Sequence, residues 1–276
     1  MDIRTTRHKL MLDIGGTFIK CSDGRSIPVD SSGSREGIIS SLREAVGDLS
    51  RTDSVSIAIP GPFDYNAGVF LMKHKFAAVY GESLPALVEA PDTVKFSFIH
   101  DVNCMLLGEL ACGAARGYEN AAVISLGTGL GFSICKDGEI LRNEMGSPKI
   151  SMYEQPFKDG ILEDYVSKRG LLRLYAEASG DSDSGLTVKA IANLARSGDK
   201  AASGSFLSMG SIIGQAAAPI FAEMGISCVL FGGQISRSFD LMSPAVCEEL
   251  GGIGCIEKIA PISDFDNATF NGLRAL

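Results

Sequence analysis

A strand, a glycine turn and a second strand occur twice in this chain, and any fold must accommodate both copies. LDIGGTFIKCSDG (12–24) lies over LGTGLGFSICKDG (126–138) at a constant offset with no gap. Leu12/Leu126, Gly15/Gly129, Phe18/Phe132, Cys21/Cys135, Asp23/Asp137 and Gly24/Gly138 are identical. Each copy reads as strand, glycine turn, second strand and Asp-Gly turn. A glycine turn beside a strand gives either tight geometry at positive φ or close approach of backbone amides to an anion. One copy alone reads as an ordinary hairpin; two copies at equivalent places in two halves favour the anion. If the halves face each other across a cleft, the two turns form lips that clamp the phosphates of one nucleotide.

Around the repeat, period-two and short apolar runs place strands near 9–13, 54–59, 94–100, 121–126, 131–135 and 227–231. Helical periodicity falls near 35–49, 102–115, 161–178, 187–196, 203–224 and 239–250. Strands alternating with helices imply a layered α/β fold, and 276 residues suit two medium domains. A net charge of −8 argues against a broad nucleic-acid surface, so a small anion must be held locally. The N-terminal apolar run is too short for a signal-peptide core, and no stretch is read as a membrane span, so a cytosolic protein is expected. Seven cysteines without a C-x-x-C pair read as reduced core thiols, and with three histidines a Cys/His zinc site is disfavoured. No G-x-x-x-x-G-K-[ST] occurs, and GTGLG (127–131) runs into a strand where a dinucleotide fingerprint needs a helix.

Two aspartates end strands. Asp13 closes the first apolar run, and Asp101 follows VKFSFI and opens the helix VNCMLLGELACG. Asp101 can serve as an N-cap, or point into the crevice where open α/β sheets bind ligands.

LDIGGT, HDVNCMLLGE, SLGTGLG and LFGGQIS occur in the order and spacing of the ROK family of sugar kinases and sugar-responsive repressors, within the actin-like ATPase superfamily. The resemblance covers nearly the whole chain. It implies two actin-like (ribonuclease H-like) α/β domains with a cleft between them: residues 1–115 with the returning helix 265–276, and residues 116–264. It implies an ATP-dependent hexose kinase in which Asp101 is the general base and Asp13 helps hold Mg²⁺ through water. Gly15, Gly16 and Thr17 would receive ATP phosphates, with Gly127, Thr128 and Gly129 as the second lip. Gly232 and Gly233 would lie against the nucleoside. Lys20 reads equally as a phosphate contact or a solvated strand charge. Glu144 and Glu163 match acidic sugar contacts, and Gly61 in IPGP (59–62) matches the sugar-side loop.

The chain also departs from the family pattern. The usual Asn-Asp pair is His100-Asp101, a bulkier side chain that changes charge near neutral pH, so His100 is either a sugar contact or a buried structural residue. Ser147 replaces the zinc-motif histidine, itself a sugar contact, and Glu154, Pro156 and Ile161 replace its cysteines, so no zinc is expected. The segment 147–160 must then be ordered by Met152, Tyr153 and Phe157, or stay mobile until substrate binds. The partner expected is a small-molecule sugar, glucose-like or an N-acylated amino sugar, with no nucleic acid and no membrane. Homodimers are common in the resembling kinases. A DNA-binding regulator is disfavoured because only eight residues precede the first strand. A sensor without turnover would explain His100 and Ser147, but the presence of both Asp13 and Asp101 speaks against it. A kinase using polyphosphate would need a long basic groove, and no run of Lys and Arg supplies one.

Overall fold

The structure is a computed structural model and describes residues 8–180 and 185–276. Two compact units divide the chain. The first takes the chain as far as Ala111 with Arg142–Lys149 and Asp266–Leu276; the second takes Cys112–Leu141 and Ile150–Phe265. The segment Arg142–Lys149 therefore groups with the first unit, where the sequence places it in the second.

In the first unit, β1 (His8–Ile14) pairs antiparallel with β2 (Phe18–Cys21), and β3 (Ser26–Pro28) continues the edge. On its other side β1 runs parallel to β4 (Thr52–Ile59), which runs parallel to β5 (Lys95–His100). The sheet order is β3-β2-β1-β4-β5. Side chains alternate across a strand. Leu12 and Ile14 thus enter one core with Ile38 and Leu42 of α1 (Arg35–Val46), while Met11, and Asp13 with it, faces the cluster of Cys104 and Leu273. Asp13 pairs in register with Ala58, and Ile59 with His100. The C-terminal ends of β1, β4 and β5 consequently bring the first glycine turn, the Pro60-Gly61 loop and His100-Asp101 to one sheet edge. Helix α1 stops three residues earlier than its periodicity suggests, because Gly47 takes a left-handed φ of 58° and returns its N–H to Arg43.

The second unit repeats that order. β6 (Ala121–Leu126) pairs antiparallel with β7 (Leu130–Lys136), β8 (Glu139–Ile140) forms the edge, and β9 (Cys228–Gly232) and β10 (Lys258–Pro261) follow in parallel, giving β8-β7-β6-β9-β10. The internal repeat is therefore a repeat of topology. Its Asp-Gly turns differ: Asp137 and Gly138 both take positive φ in a two-residue hairpin, whereas in the first copy only Gly24 does.

Helix α2 (Asp101–Cys112) follows β5. The helix expected over 161–178 is broken at Ser167 into α3 (Glu163–Val166) and α4 (Lys168–Ser179). The break frees the Lys168 N–H to donate to Gly127 O at 2.8 Å, which ties the helix to the second glycine turn. α5 (Val188–Arg196), α6 (Lys200–Met224) and α7 (Phe239–Leu250) complete this unit. By length and composition α6 could cross a membrane, yet Phe206, Met209, Ile213, Ala217 and Phe221 are fully buried in the core of the second unit. α8 (Ala268–Ala275) returns to the first unit, where Leu273 joins Ala58, Ile99 and Cys104.

Candidate functional site

At the sheet edge of the first unit, His100 Nδ1 lies 2.8 Å from Asp101 Oδ1, and the Val102 N–H donates to the same oxygen at 2.7 Å. The backbone N–H sits 3.3 Å from Nδ1, a poorer contact. Nδ1 therefore carries a proton and donates it to the carboxylate, since two acceptors would not approach so closely. The Asp101 side chain is nearly half exposed. Its packing pushes the carboxyl up, but the charge and hydrogen bond of His100, the Val102 N–H and the Lys75 charge outweigh that and hold it below the usual carboxylate value. Asp101 is thus an ionised, accessible acceptor at the end of a strand.

Asp13 is its counterpart. Burial and the charge of Asp101 push its carboxyl up to about 6, against the opposing effects of Lys20 and a hydrogen bond with Thr269 of α8. Lys20 is the cross-strand partner of Asp13 and is exposed. Directly after Asp13, the Gly15 N–H closes the hairpin onto Phe18 O at 2.9 Å. The amides of Gly16 and Thr17 make no hydrogen bond among the described residues.

Gly61 lies against His100: a Cβ there would sit 3.4 Å from the ring and 3.4 Å from the Tyr65 hydroxyl. Tyr65 organises this side. Its hydroxyl donates to Ile59 O at 3.0 Å, its ring lies 5.8 Å from that of His100, and its N–H donates to Met145 O at 2.9 Å. Asn66 Nδ2 donates to Glu144 O at 2.7 Å, Asn103 Nδ2 to Gly146 O at 3.3 Å, and the Ser147 N–H to Asn143 Oδ1 at 3.0 Å. Of the six expected sugar contacts, Gly61, His100, Asp101, Glu144 and Ser147 thus share the first unit.

Glu163 belongs to the second unit. Its Oε2 accepts the Leu130 N–H at 3.0 Å, and a Cβ on Gly129 would lie 2.6 Å from that oxygen. Its Oε1 accepts from Arg169 at 3.1 Å, and Arg169 also pairs with Asp164 at 2.7 Å. Glu163 therefore braces the second glycine turn, with Gly127 N–H turned inward to Gly129 O at 3.0 Å. A Cβ on Gly233, which takes φ 80°, would collide with the Leu126 carbonyl, so glycine there lets Gly232-Gly233 pack beside the strand that leads into the same turn.

The segment that departs from the zinc pattern is ordered by side chains. A hairpin pairs Pro156–Phe157 with Gly160–Ile161. Phe157 meets Tyr165 edge-on at 4.8 Å, Arg173 lies 3.8 Å over the Tyr165 ring, and Lys158 lies 5.2 Å over it. The Tyr165 hydroxyl donates to Asp159, and Asp164 accepts the Ile161 N–H at 3.1 Å. Met152 is fully buried here as expected, but Tyr153 is 44% exposed, so Tyr165 and not Tyr153 takes the ordering role.

No sequence pattern marks Tyr65, Thr269, Ser31 or Lys75. Tyr65, Ser31 and Thr269 belong to no motif, and Lys75 sits in KHK (73–75), outside all of them. Among the described residues no group of three His, Cys, Asp or Glu side chains could hold a metal by itself. Magnesium does not need one, since it keeps waters and takes one or two carboxylates together with phosphate. A carboxylate raised by burial and a like charge, as Asp13 is, fits such an ion.

Residues 3–253 match the ROK family model. The chain is 28% identical over 161 residues to N-acetylgalactosamine kinase AgaK of Shewanella sp. (strain ANA-3), an alignment covering 52% of this chain and about half, 51%, of that kinase. Its fold matches a ROK family glucokinase from Streptomyces griseus solved with glucose and AMPPNP, with a TM-score of 0.77, 23% identity and coverage of 96% and 97% of the two chains. It also matches a ROK family transcriptional regulator, a homolog of the E. coli MLC protein, with a TM-score of 0.80, 16% identity and coverage of 96% and 76%.

Proposed function

Since the chain belongs to the ROK family, we propose that it is an ATP-dependent kinase of a hexose or hexose derivative, with Asp101 as general base. The observation that carries this reading is the ionised, half-exposed Asp101 carboxylate on the same sheet edge as Asp13 and the Gly15-Gly16-Thr17 turn. In the reaction a sugar hydroxyl oxygen forms a bond to the terminal phosphorus. The bond from that phosphorus to the bridging oxygen breaks, ADP leaves with the electron pair, and the hydroxyl proton passes to Asp101. A carboxylate of low basicity suffices, because the transition state is loose and the proton is accepted late.

The amides of Gly16 and Thr17 would receive phosphate oxygens, as would those of Thr128 and Gly129, with Gly127 shaping the second turn. Gly232 and Gly233 would back the nucleoside. Asp13 would hold Mg²⁺ through water, with Lys20 flanking it; the ion supplies charge neutralisation to the phosphates. Gly61, His100, Glu144, Ser147 and Glu163 would contact the sugar. Because His100 Nδ1 is committed to Asp101, only Nε2 remains to meet a hydroxyl or acyl group. Relatives named for glucose and for N-acetylgalactosamine make both classes candidates. A cytoplasmic setting supplies ATP and suits free thiols.

A second reading, a sugar or nucleotide sensor without turnover, is supported by the likeness to the regulator. ADP release with ATP and Mg²⁺ across a panel of hexoses and N-acylated amino sugars separates the two, run beside Asp101→Ala. Turnover with one sugar, lost in the variant while ATP binding persists, supports the kinase. Silence across the panel with ATP bound supports the sensor.

A further inference from the structure

A cation that belongs to no motif lies on the first glycine turn. A Cβ at Gly16 would sit 3.5 Å from Lys75 Cε and 3.6 Å from its Cδ, so the lysine stem runs over the turn where glycine leaves room. The backbone beside it is held firmly. Phe76 takes φ 53° and ψ 25°, a left-handed conformation that is costly for an aromatic residue and persists only where surroundings enforce it. Its ring is fully buried, 5.4 Å from that of Phe70. Its N–H donates to Ser31 O at 2.6 Å, and the Ser31 N–H donates to Gly16 O at 3.2 Å. A chain of backbone hydrogen bonds thus fastens residues 75–76 to the turn.

The charge of Lys75 is felt at Asp101, yet among the described residues no ion pair within 4 Å joins Lys75 to a carboxylate. A half-buried lysine whose stem crosses a turn with two unpartnered amides, and whose charge acts on Asp101, is placed to bring its ammonium to an anion held there.

We propose that Lys75 binds the terminal phosphoryl group of the nucleotide, between the first glycine turn and Asp101. This inference rests on the sugar-kinase reading. The terminal group is singled out because the attacked phosphorus must lie within reach of the hydroxyl whose proton Asp101 accepts. As the new phosphorus–oxygen bond forms and the bridging bond breaks, Lys75 stays protonated and offsets the charge on the equatorial oxygens. A lysine that only tuned Asp101 would move the pH profile and leave nucleotide preference alone.

The test is calorimetric binding of Mg–AMPPNP and Mg–ADP to the wild type, Lys75→Met and Lys75→Arg, with turnover measured alongside. Lys75→Met should weaken AMPPNP at least about tenfold while ADP changes less than about twofold, and kcat should fall about a hundredfold. Lys75→Arg should recover part of the AMPPNP affinity by keeping the charge. Equal losses for both nucleotides, or a Lys75→Met variant with wild-type kcat and AMPPNP affinity, would overturn the proposal alone. A wild type that binds nucleotide but phosphorylates no sugar would overturn the kinase reading, and this inference with it.

Discussion

His100 Nδ1 donates to Asp101 Oδ1 across 2.8 Å, and the same carboxylate oxygen takes the Val102 N–H, so the carboxylate proposed as the base is oriented by its two neighbours in sequence. His100 is a positioning residue for Asp101. His100→Phe removes the donor and the opposing charge, so the Asp101 carboxyl rises and is protonated at a higher pH than in the wild type. The acid limb of kcat/KM should move upward, with the alkaline side unchanged. His100→Asn, which restores the side chain of the resembling kinases, keeps a donor; it should shift the limb less and alter the ranking of sugars in the panel. A pH–rate profile identical in all three would remove His100 from this role.

Glu163 braces the second glycine turn through the Leu130 N–H. Glu163→Ala leaves the Leu130 amide without its acceptor, while Arg169 keeps Asp164, and should cost about 1–3 kcal/mol. Glu163→Gln can still accept from Leu130 and should lose about half as much or less. Thermal melts of both variants, with ADP affinity measured beside them, decide whether the carboxylate holds the turn: a Glu163→Ala protein as stable and as tight as wild type would show that it does not.

Tyr165 gathers Phe157, Lys158, Arg173 and Asp159 around one ring. Tyr165→Ala should destabilise the second unit by about 3 kcal/mol through lost burial and stacking, and Tyr165→Phe by about 1 kcal/mol. A zinc-selective chelator should leave the melting temperature of the wild type unchanged, since these contacts require no metal. A chelator-dependent drop would overturn the expectation that no zinc is bound.

Gly272 and Gly108 let α8 lie on α2: a Cβ at Gly272 would collide with the Cys104 carbonyl, and one at Gly108 would lie 2.7 Å from Gly272 N. Gly272→Ala should cost about 1–3 kcal/mol, by pushing α8 off its seat. Thr269 then retreats from Asp13, so the apparent Mg²⁺ requirement in the kinase assay should rise with it. Loss of stability without any change in Mg²⁺ dependence would separate Asp13 from α8.

What the sequence determined by itself was local or periodic. The repeated strand–turn–strand, the aspartates near the end of β1 and at the start of α2, and the alternation of strands and helices are all patterns over a few residues, and the structure returns the strands as two sheets of one order. Tertiary structure decided the rest. Lys75 lies over Gly16 beside a left-handed Phe76 that is bonded to Ser31; Tyr65 joins His100 and Gly146 through contacts far apart in sequence. Glu163 reads as a free sugar ligand until the chain breaks at Ser167 and folds its carboxylate against Leu130. Such contacts leave no periodicity, because they depend on where distant backbone segments are brought together. A lone lysine or glutamate in a polar stretch reads as solvated charge until its neighbours are known.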